Sequence, residues 1–238
     1  IAFTDITEQA GVRDGYWGWG ACAADFNNDG FIDLFHGNGF GYIPDDVAIS
    51  DLTRSLQLEY SLTTSRFQGR SSRLFINNAS GSFVEQAADW GIDAPSEGRG
   101  VACLDYERDG DIDLVVFDHS RRPQFFENRG GSGPGRRFMG IRLVGTSPNT
   151  DAIGARVFVT ADVGHGRGVQ TQLRLSEANS NFNSQNVPDL HFGLGEAAIV
   201  SQLRVVWPGG SELTCTDVPV NRFVVLDQRS PVCPGAPP

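Results

Sequence analysis

Two acidic loops of the same design, 80 positions apart, most constrain how this chain can fold. The first acidic loop begins at Asp25 and reads Asp-Phe-Asn-Asn-Asp-Gly-Phe-Ile-Asp. The second begins at Asp105 and reads Asp-Tyr-Glu-Arg-Asp-Gly-Asp-Ile-Asp. Calcium takes roughly six to eight oxygen ligands, and a Gly lets the chain turn sharply around the ion. Oxygen-bearing side chains at loop positions 1, 3, 5 and 9, with Gly at position 6, therefore predict two calcium sites.

The predicted ligands follow from these loop positions, with position 7 offering its backbone carbonyl. They are Asp25, Asn27, Asp29, Phe31 and Asp33 in the first loop, and Asp105, Glu107, Asp109, Asp111 and Asp113 in the second. A β-hairpin turn is the alternative, because Asn, Asp and Gly also favour turns. A hairpin, however, does not need four oxygen ligands, and it does not need them twice. The loops lack the Glu at position 12 and the flanking helices of an EF-hand.

The repeat extends beyond the loops. Shifting the chain by 80 positions also aligns Phe3 with Phe83 and Gly11 with Gly91. A fixed period indicates a solenoid, a propeller or an array, although this period is long for one unit. We interpret residues 41–70 as an insertion that lengthens the first unit. The small-residue stretch before each loop and the Asp-Leu stretch after it predict two β-strands joined by the loop, so the fold class is all-β.

Short motifs carry a resemblance to known families. Residues 26–34, 74–77 and 81–83 resemble FG-GAP (VCBS-type) repeats, and residues 152–157, 190–195 and 205–210 resemble the ASPIC/UnbV domain. Together, in this order, they resemble the cartilage acidic protein family and its bacterial relatives. The resemblance implies a partial or small β-propeller at 1–135, a sandwich-like all-β region at 136–230, and a Pro-rich tail at 231–238. Two visible loops are fewer than the four to eight blades of a closed propeller, so something must cover the open edges.

The charge and hydropathy of the sequence limit the classes of partner that we expect. The net charge is −10, and all 19 basic residues are Arg. The adjacent pairs 121–122 and 136–137 are dispersed and do not form a stripe. Nucleic acid is therefore excluded as an expected partner, because a binder needs clustered basic residues. No run of 18 apolar residues predicts a membrane span. The chain starts at Ile1, which suggests a processed or trimmed form. Calcium loops of this kind favour a secreted, periplasmic or otherwise extracellular location.

The four cysteines are compatible with disulfides in an oxidising compartment. Cys215 and Cys233 flank a predicted strand at 222–226, and we expect them to pair. Cys22 and Cys103 lie in equivalent strands of the two repeats, one register step apart. They either face each other across a blade interface or remain two separate buried thiols, and we favour separate thiols.

A catalytic site is indicated only weakly. His36 and His119 each follow an acidic loop, and Asp118 and Arg121 adjoin His119. A His beside a carboxylate can act as a general base, but no nucleophile motif accompanies this group. We read His191, in the Leu-His-Phe-Gly-Leu-Gly motif, as structural. The leading hypothesis is a secreted calcium-binding recognition or adhesion module. The alternative is a calcium-dependent enzyme, either a cyclase or isomerase of small-molecule biosynthesis or a glycan hydrolase.

Two further features of the sequence are compatible with ligand binding but do not identify the ligand. Trp17 and Trp19 can stack on a sugar, anchor a partner or fill a blade interface. The polar run at 179–186 either lines a ligand pocket or forms a hydrated loop. A protein, glycan or small-molecule ligand is compatible with these features, and so is a homo-oligomer that completes its propeller between chains.

Overall fold

The computed structural model describes residues 2–40, 67, 69–119, 121–164, 166–178 and 181–235. Most of the predicted insertion at 41–70 and the end of the tail lie outside these residues. The described chain is all-β apart from one helical turn. Its elements are α1 Thr7–Ala10, β1 Gly18–Ala24, β2 Asp33–Asn38, β3 Arg73–Asn77, β4 Phe83–Glu85, β5 Gly98–Leu104, β6 Asp113–Asp118, β7 Gln124–Phe126, β8 Arg137–Val144, β9 Arg156–Asp162, β10 Val169–Leu175, β11 Leu190–Gly195, β12 Ile199–Val206, β13 Glu212–Pro219 and β14 Arg222–Asp227.

The N-terminal part forms two antiparallel sheets that follow one another along the chain. The first has the order β1-β2-β3-β4 and the second β5-β6-β7. The first acidic loop joins β1 to β2 and the second joins β5 to β6, so the predicted strand–loop–strand units are confirmed. The sheets share one core, in which Phe35 and Leu74 of the first meet Val101 and Val116 of the second. Both sheets are open, and the described residues do not form a closed propeller.

The C-terminal part encloses a second core between two sheets. One sheet is antiparallel with the order β10-β9-β12-β13, and the other has the order β11-β8-β14 with β8 and β14 parallel. Alternating strand residues from both sheets, among them Ile141, Val157, Phe192 and Leu203, are buried in this core. The layered arrangement follows from the period of two in strands, which places every second side chain on the inner face. The predicted all-β C-terminal region is confirmed.

Strands β1 and β5 lie side by side because glycine allows their backbones to approach. A Cβ added at Gly20 would lie 2.7 Å from the carbonyl oxygen of Arg99. Cys22 and Cys103 face each other across this contact with Cα atoms 6.4 Å apart, and they form a disulfide. The expectation of two separate thiols is therefore wrong. The second expected disulfide, between Cys215 of β13 and Cys233, is confirmed.

The polar run at 181–186 covers the edges of β1 and β5. Asn181 Oδ1 accepts a hydrogen bond from the Ala21 amide at 2.9 Å, and its Nδ2 donates to Val101 O at 2.9 Å. Ser184 Oγ accepts from the Val101 amide at 3.0 Å and also donates to Val101 O at 2.7 Å. Asn186 Oδ1 accepts from the Cys103 amide at 2.9 Å. Side chains thus satisfy edge groups that an adjacent strand would otherwise pair. In the described part of this run, the structure supports edge covering rather than a hydrated loop.

Candidate metal centre

The first acidic loop turns its backbone amides toward its own carboxylates. Asp25, at the end of β1, accepts hydrogen bonds from the amides of Asp29 at 3.0 Å and Gly30 at 2.7 Å. Asp33, the first residue of β2, accepts from the amides of Phe26 at 3.0 Å and Asn77 at 2.8 Å. A carboxylate has about four acceptor sites, so these bonds leave lone pairs for a cation. The loop thereby holds its two outermost predicted ligands in fixed orientations.

The second acidic loop repeats this arrangement bond for bond. Asp105 accepts from the amides of Asp109 at 3.1 Å and Gly110 at 2.8 Å. Asp113 accepts from the amides of Tyr106 at 2.9 Å and Asn128 at 2.8 Å. Carboxylate oxygens of Asp105, Glu107 and Asp113 all lie within 4.8 Å of one another. This spacing suits a shared cation, and it brings the longer Glu107 side chain into the group.

Both loops turn through the same backbone conformation. Residue 4 of each loop has a positive φ, 56° at Asn28 and 63° at Arg108. The Gly at position 6 also has a positive φ, 94° at Gly30 and 96° at Gly110. Glycine enters this region without a steric penalty, and Asn tolerates it better than most residues. The sequence repeat therefore corresponds to a structural repeat at the level of single residues.

Crowded carboxylates make the first loop electrostatically unfavourable without a counter-charge. Burial, and then the negative charges of Asp29 and Asp33, raise the pKa of Asp25 well above its usual value. Burial raises the pKa of Asp33 to about 7. A divalent cation among these groups would offset both effects, because it favours the charged carboxylates. The donor set and its charge therefore fit a hard cation with oxygen ligands.

Carboxylate pKa values are also raised in the second loop, which is more exposed to solvent than the first. Burial raises the pKa of Asp105 to about 6, with a smaller contribution from the charge of Asp109. Burial also raises the pKa values of Asp111 and Asp113. Glu107 and Asp109 are exposed, whereas Asp25 and Asp33 of the first loop are 1% and 0% exposed. The second loop thus offers ligands that reach farther into solvent.

One asparagine outside each acidic loop donates further hydrogen bonds to that loop. Asn77, which ends β3, donates a hydrogen bond from its backbone amide to Asp33 and one from Nδ2 to Ile32 O at 3.0 Å. Asn128, just after β7, gives its amide to Asp113 and its Nδ2 to Ile112 O at 3.3 Å. Residues 74–77 and 125–128 are similar in sequence, but this similarity alone does not predict the hydrogen bonds of Asn77 and Asn128 to the loops.

Strand β11 of the C-terminal part contacts both acidic loops. Asn28 O accepts the Gly195 amide at 2.8 Å, and a Cβ at Gly193 would lie 1.9 Å from Asp25 Oδ2. His191 Nε2 lies 3.0 Å from Gly110 O in the second loop. Asn28 Nδ2 in turn donates to Gly110 O at 2.8 Å and so links the two loops. The ASPIC/UnbV-like motif at 190–195 is therefore the structural joint between the two loops.

The weak catalytic candidates have different surroundings. His36 packs against Gly15 and Gly18, stacks on Phe75 and is largely buried, which lowers its pKa. Asp118 accepts the amides of Glu97 at 2.8 Å and Arg121 at 2.9 Å. The Arg121 side chain donates to Pro95 O, and His119 is exposed with its amide bonded to Glu97 O. The structure thus brings Asp118 and Arg121 together, while His36 contacts a different set of residues.

The aromatic pair at Trp17 and Trp19 belongs to a larger cluster. Trp17 stacks on Phe40 with ring centroids 4.4 Å apart, and the Trp19 ring lies 5.1 Å from Phe182. The Arg99 guanidinium sits 4.2 Å from the centre of the Trp19 ring. Trp19 therefore packs between the first repeat and the polar run, whereas Trp17 is 36% exposed.

Comparison with known proteins finds relatives of the C-terminal part and of most of the chain. The family model described as "ASPIC and UnbV" matches residues 145–231, which include β9 to β14. The C-terminal part of this chain is therefore similar to the ASPIC and UnbV family. Most of the chain is similar to cartilage acidic protein 1. The Xenopus tropicalis protein is 25% identical over 246 residues and the human protein 26% over 242, covering 89% and 87% of this chain.

The similarity spans both parts of the chain, so the expected resemblance is confirmed in its ASPIC/UnbV part and in its relation to cartilage acidic proteins. The matched region is 37% of the Xenopus protein and 36% of the human protein, so this chain spans about a third of its curated relatives. Helices in the described residues are too short and too polar to cross a membrane.

Proposed function

We propose that this protein is a secreted, calcium-binding recognition module in which two calcium ions hold inter-strand loops. The observation that carries the proposal is the identical hydrogen-bond pattern of the two acidic loops. In each, the first carboxylate accepts the amides of loop positions 5 and 6, and the last accepts the amide of position 2 and that of an asparagine outside the loop. Burial, with a smaller contribution from neighbouring negative charges, raises the pKa of the first carboxylate in both loops. A turn without a cation has no physical reason to gather this charge twice.

The N-terminal sheets, in this proposal, are two neighbouring FG-GAP-like blades of a partial propeller. Each is an antiparallel meander whose first strand, β1 or β5, lies at the contact between the sheets. Blades around a propeller axis place successive first strands next to one another in this way. The polar run at 181–186 covers the two exposed edges that a closed ring would not leave open.

Calcium then has a structural role rather than a chemical one. Asp25 contacts Gly193, and Gly110 contacts His191, so each loop supports strand β11 of the ASPIC/UnbV domain. Ordering the loops therefore orders the joint between the two parts. The residues that would hold the ions are those at loop positions 1, 3, 5, 7 and 9.

Export is supported by the cysteine chemistry. Both disulfides join residues that the fold places together, and disulfides persist in oxidising compartments. Similarity to cartilage acidic protein 1 supports an extracellular role of this kind. Recognition of a ligand outside the cell is the function that suits a scaffold with structural calcium.

Calorimetric titration of the chelator-treated protein with calcium tests this proposal. We expect two calcium ions per chain. Asp33→Asn and Asp113→Asn each replace a charged carboxylate ligand by a neutral amide, in the first and the second loop respectively. Each variant is therefore expected to lose one of the two calcium sites. Asp93→Asn is the matched control, because Asp93 is an exposed carboxylate outside both loops. It should keep both sites.

Manganese and zinc titrations extend the same experiment to other ions. Oxygen-only sites favour calcium over zinc, which prefers nitrogen and sulfur ligands. The proposal is ruled out if calcium addition produces no heat of binding and the melting temperature is the same in calcium and in chelator. Loss of both sites in one loop variant would instead show that the loops bind as one unit.

A further inference from the structure

A cleft of about 460 Å³ separates the N-terminal sheets from the ASPIC/UnbV domain. One wall is formed by the end of β1, with Ala23 and Ala24, and by the Cys22–Cys103 disulfide. The other wall includes Leu173 and Leu175 of β10. Small-molecule sites are commonly clefts of roughly 300–1,000 Å³ at such boundaries, with apolar walls and a few polar groups. The size and lining of this cleft match that description.

His191 lines the cleft and has a defined tautomer. Its Nε2 lies 3.0 Å from Gly110 O, and a carbonyl oxygen only accepts hydrogen bonds. Nε2 must therefore carry the proton. Burial lowers the pKa of His191 to about 4, so the ring is neutral near pH 7 and Nδ1 is a hydrogen-bond acceptor. The ring is also held by stacking on Phe138.

Nδ1 of His191 is buried and has no hydrogen-bond partner. A buried acceptor without a partner loses its hydration without compensation, and the penalty is roughly 1–3 kcal/mol. Nearby polar groups do not relieve it. Arg174, which also lines the cleft, donates its Nε to the His191 carbonyl and its Nη2 to Gln172. His191 lines the cleft, so a ligand donor placed there lies beside this ring.

We propose that this cleft binds a small molecule with an apolar body and a hydroxyl or amine N–H donor, which His191 Nδ1 accepts. The apolar body lies against Ala23, Ala24 and the half-exposed side chains of Leu173 and Leu175. No predicted calcium ligand lines the cleft, although Ile112 of the second acidic loop does.

Two matched probes, cyclohexanol and cyclohexanone, test the proposal. They have the same ring, but only cyclohexanol carries a donor. In an NMR titration of ¹⁵N-histidine-labelled protein, we expect cyclohexanol to bind about tenfold more tightly, the ratio for one hydrogen bond to a buried acceptor. The Nδ1 resonance of His191 should move upfield with cyclohexanol and stay in place with cyclohexanone.

Two substitutions separate binding from folding. His191→Phe keeps an aromatic ring beside Phe138 but has no acceptor nitrogen, so the two probes should bind equally. Ala23→Leu fills the cleft at an exposed position without touching His191, and both probes should lose binding. Val84→Leu, an exposed strand position outside the cleft, should leave both affinities unchanged.

Several outcomes would overturn the proposal. Equal affinity of the two probes for the unmodified protein would mean that Nδ1 serves a water molecule or no ligand. A fixed Nδ1 resonance during cyclohexanol binding would place the probe elsewhere. Binding that survives Ala23→Leu, or no saturable shift up to the solubility of either probe, would exclude this cleft as the site.

Discussion

Gly193 decides how near the ASPIC/UnbV domain can lie to the first acidic loop. A Cβ at this position would fall 1.9 Å from Asp25 Oδ2 and 2.7 Å from Asn28 Cα. Its φ is not in the left-handed region, so the requirement for glycine here is steric rather than conformational. A methyl group must therefore displace a predicted calcium ligand, the backbone of the loop or β11 itself.

Gly193→Ala is expected to destabilise the protein by about 1–3 kcal/mol, as overpacking of a filled interior does. It should also weaken calcium binding at the first loop while leaving the second loop intact. Gly130→Ala is the control, because a Cβ there meets only open space. Thermal melting and calcium titration check both effects, and a Gly193→Ala protein that behaves like the control would contradict the contact.

The ligand positions could be predicted at the residue scale because they depend on local spacing. Asp25 to Asp33 span nine consecutive residues, and their pattern is visible without any tertiary information. The contact of Gly193 with Asp25 could not be predicted, since it joins residues 168 positions apart through the packing of two sheets. The role of Asn28 was missed for the same reason, because its partners are Gly110 and Gly131.

Strands β1 and β5 show how an edge is covered by side chains instead of by another strand. Ser184 lies opposite Val101 and bonds both its amide and its carbonyl. Sequence reasoning required a cover for the open edges but did not find it in the polar run, since Asn and Ser are equally common in hydrated loops. Only the register of 181–186 along β1 and β5 distinguishes the two, and register depends on the tertiary fold.

Ser184→Ala is expected to cost about 1–3 kcal/mol, because it leaves the Val101 amide without its partner, while Val101 O keeps its bond from Asn181 Nδ2. Hydrogen exchange at the Val101 amide should accelerate, while exchange at β9 and β12 stays unchanged. Gln185→Ala changes an exposed side chain within the same run and serves as the control. Unaltered exchange at Val101 in Ser184→Ala would show that the bond contributes little.

At the scale of the whole molecule, the two disulfides close loops of different length. Cys22 and Cys103 are 81 positions apart, and Cys215 and Cys233 are 18 apart. In the chain-entropy account, these separations correspond to roughly 4.5 and 3.2 kcal/mol of stabilisation. The first disulfide also joins the two N-terminal sheets, whereas the second ties the tail to β13.

Removal of the longer bridge is therefore expected to be the more damaging change. Cys22→Ala with Cys103→Ala should lower the free energy of unfolding by about 1 kcal/mol more than Cys215→Ala with Cys233→Ala. Denaturant unfolding of the two double variants measures the difference. The reverse order would mean that the loss of the tail contact outweighs chain entropy.

The response of the whole molecule to pH follows from the acidic loops. Without calcium, Asp33 and Asp105 have folded-state pKa values of about 7 and about 6, against an ordinary value of 3.8. Their contribution to stability is therefore complete below about pH 4 and is lost as the pH rises to 6–7. Calcium requires the charged carboxylates, so protons compete with it in the same range.

The stabilisation by calcium should consequently grow with pH. We expect the difference in melting temperature between calcium and chelator to be large at pH 7.5 and to shrink markedly by pH 5. An Asp33→Asn, Asp105→Asn double variant removes one predicted ligand from each loop, so we expect it to lose the calcium effect at both pH values. His191, whose pKa is lowered to about 4, acts in the opposite direction but is present in both proteins and cancels in the comparison. A calcium effect that is the same at both pH values would show that these carboxylates do not bind the ion.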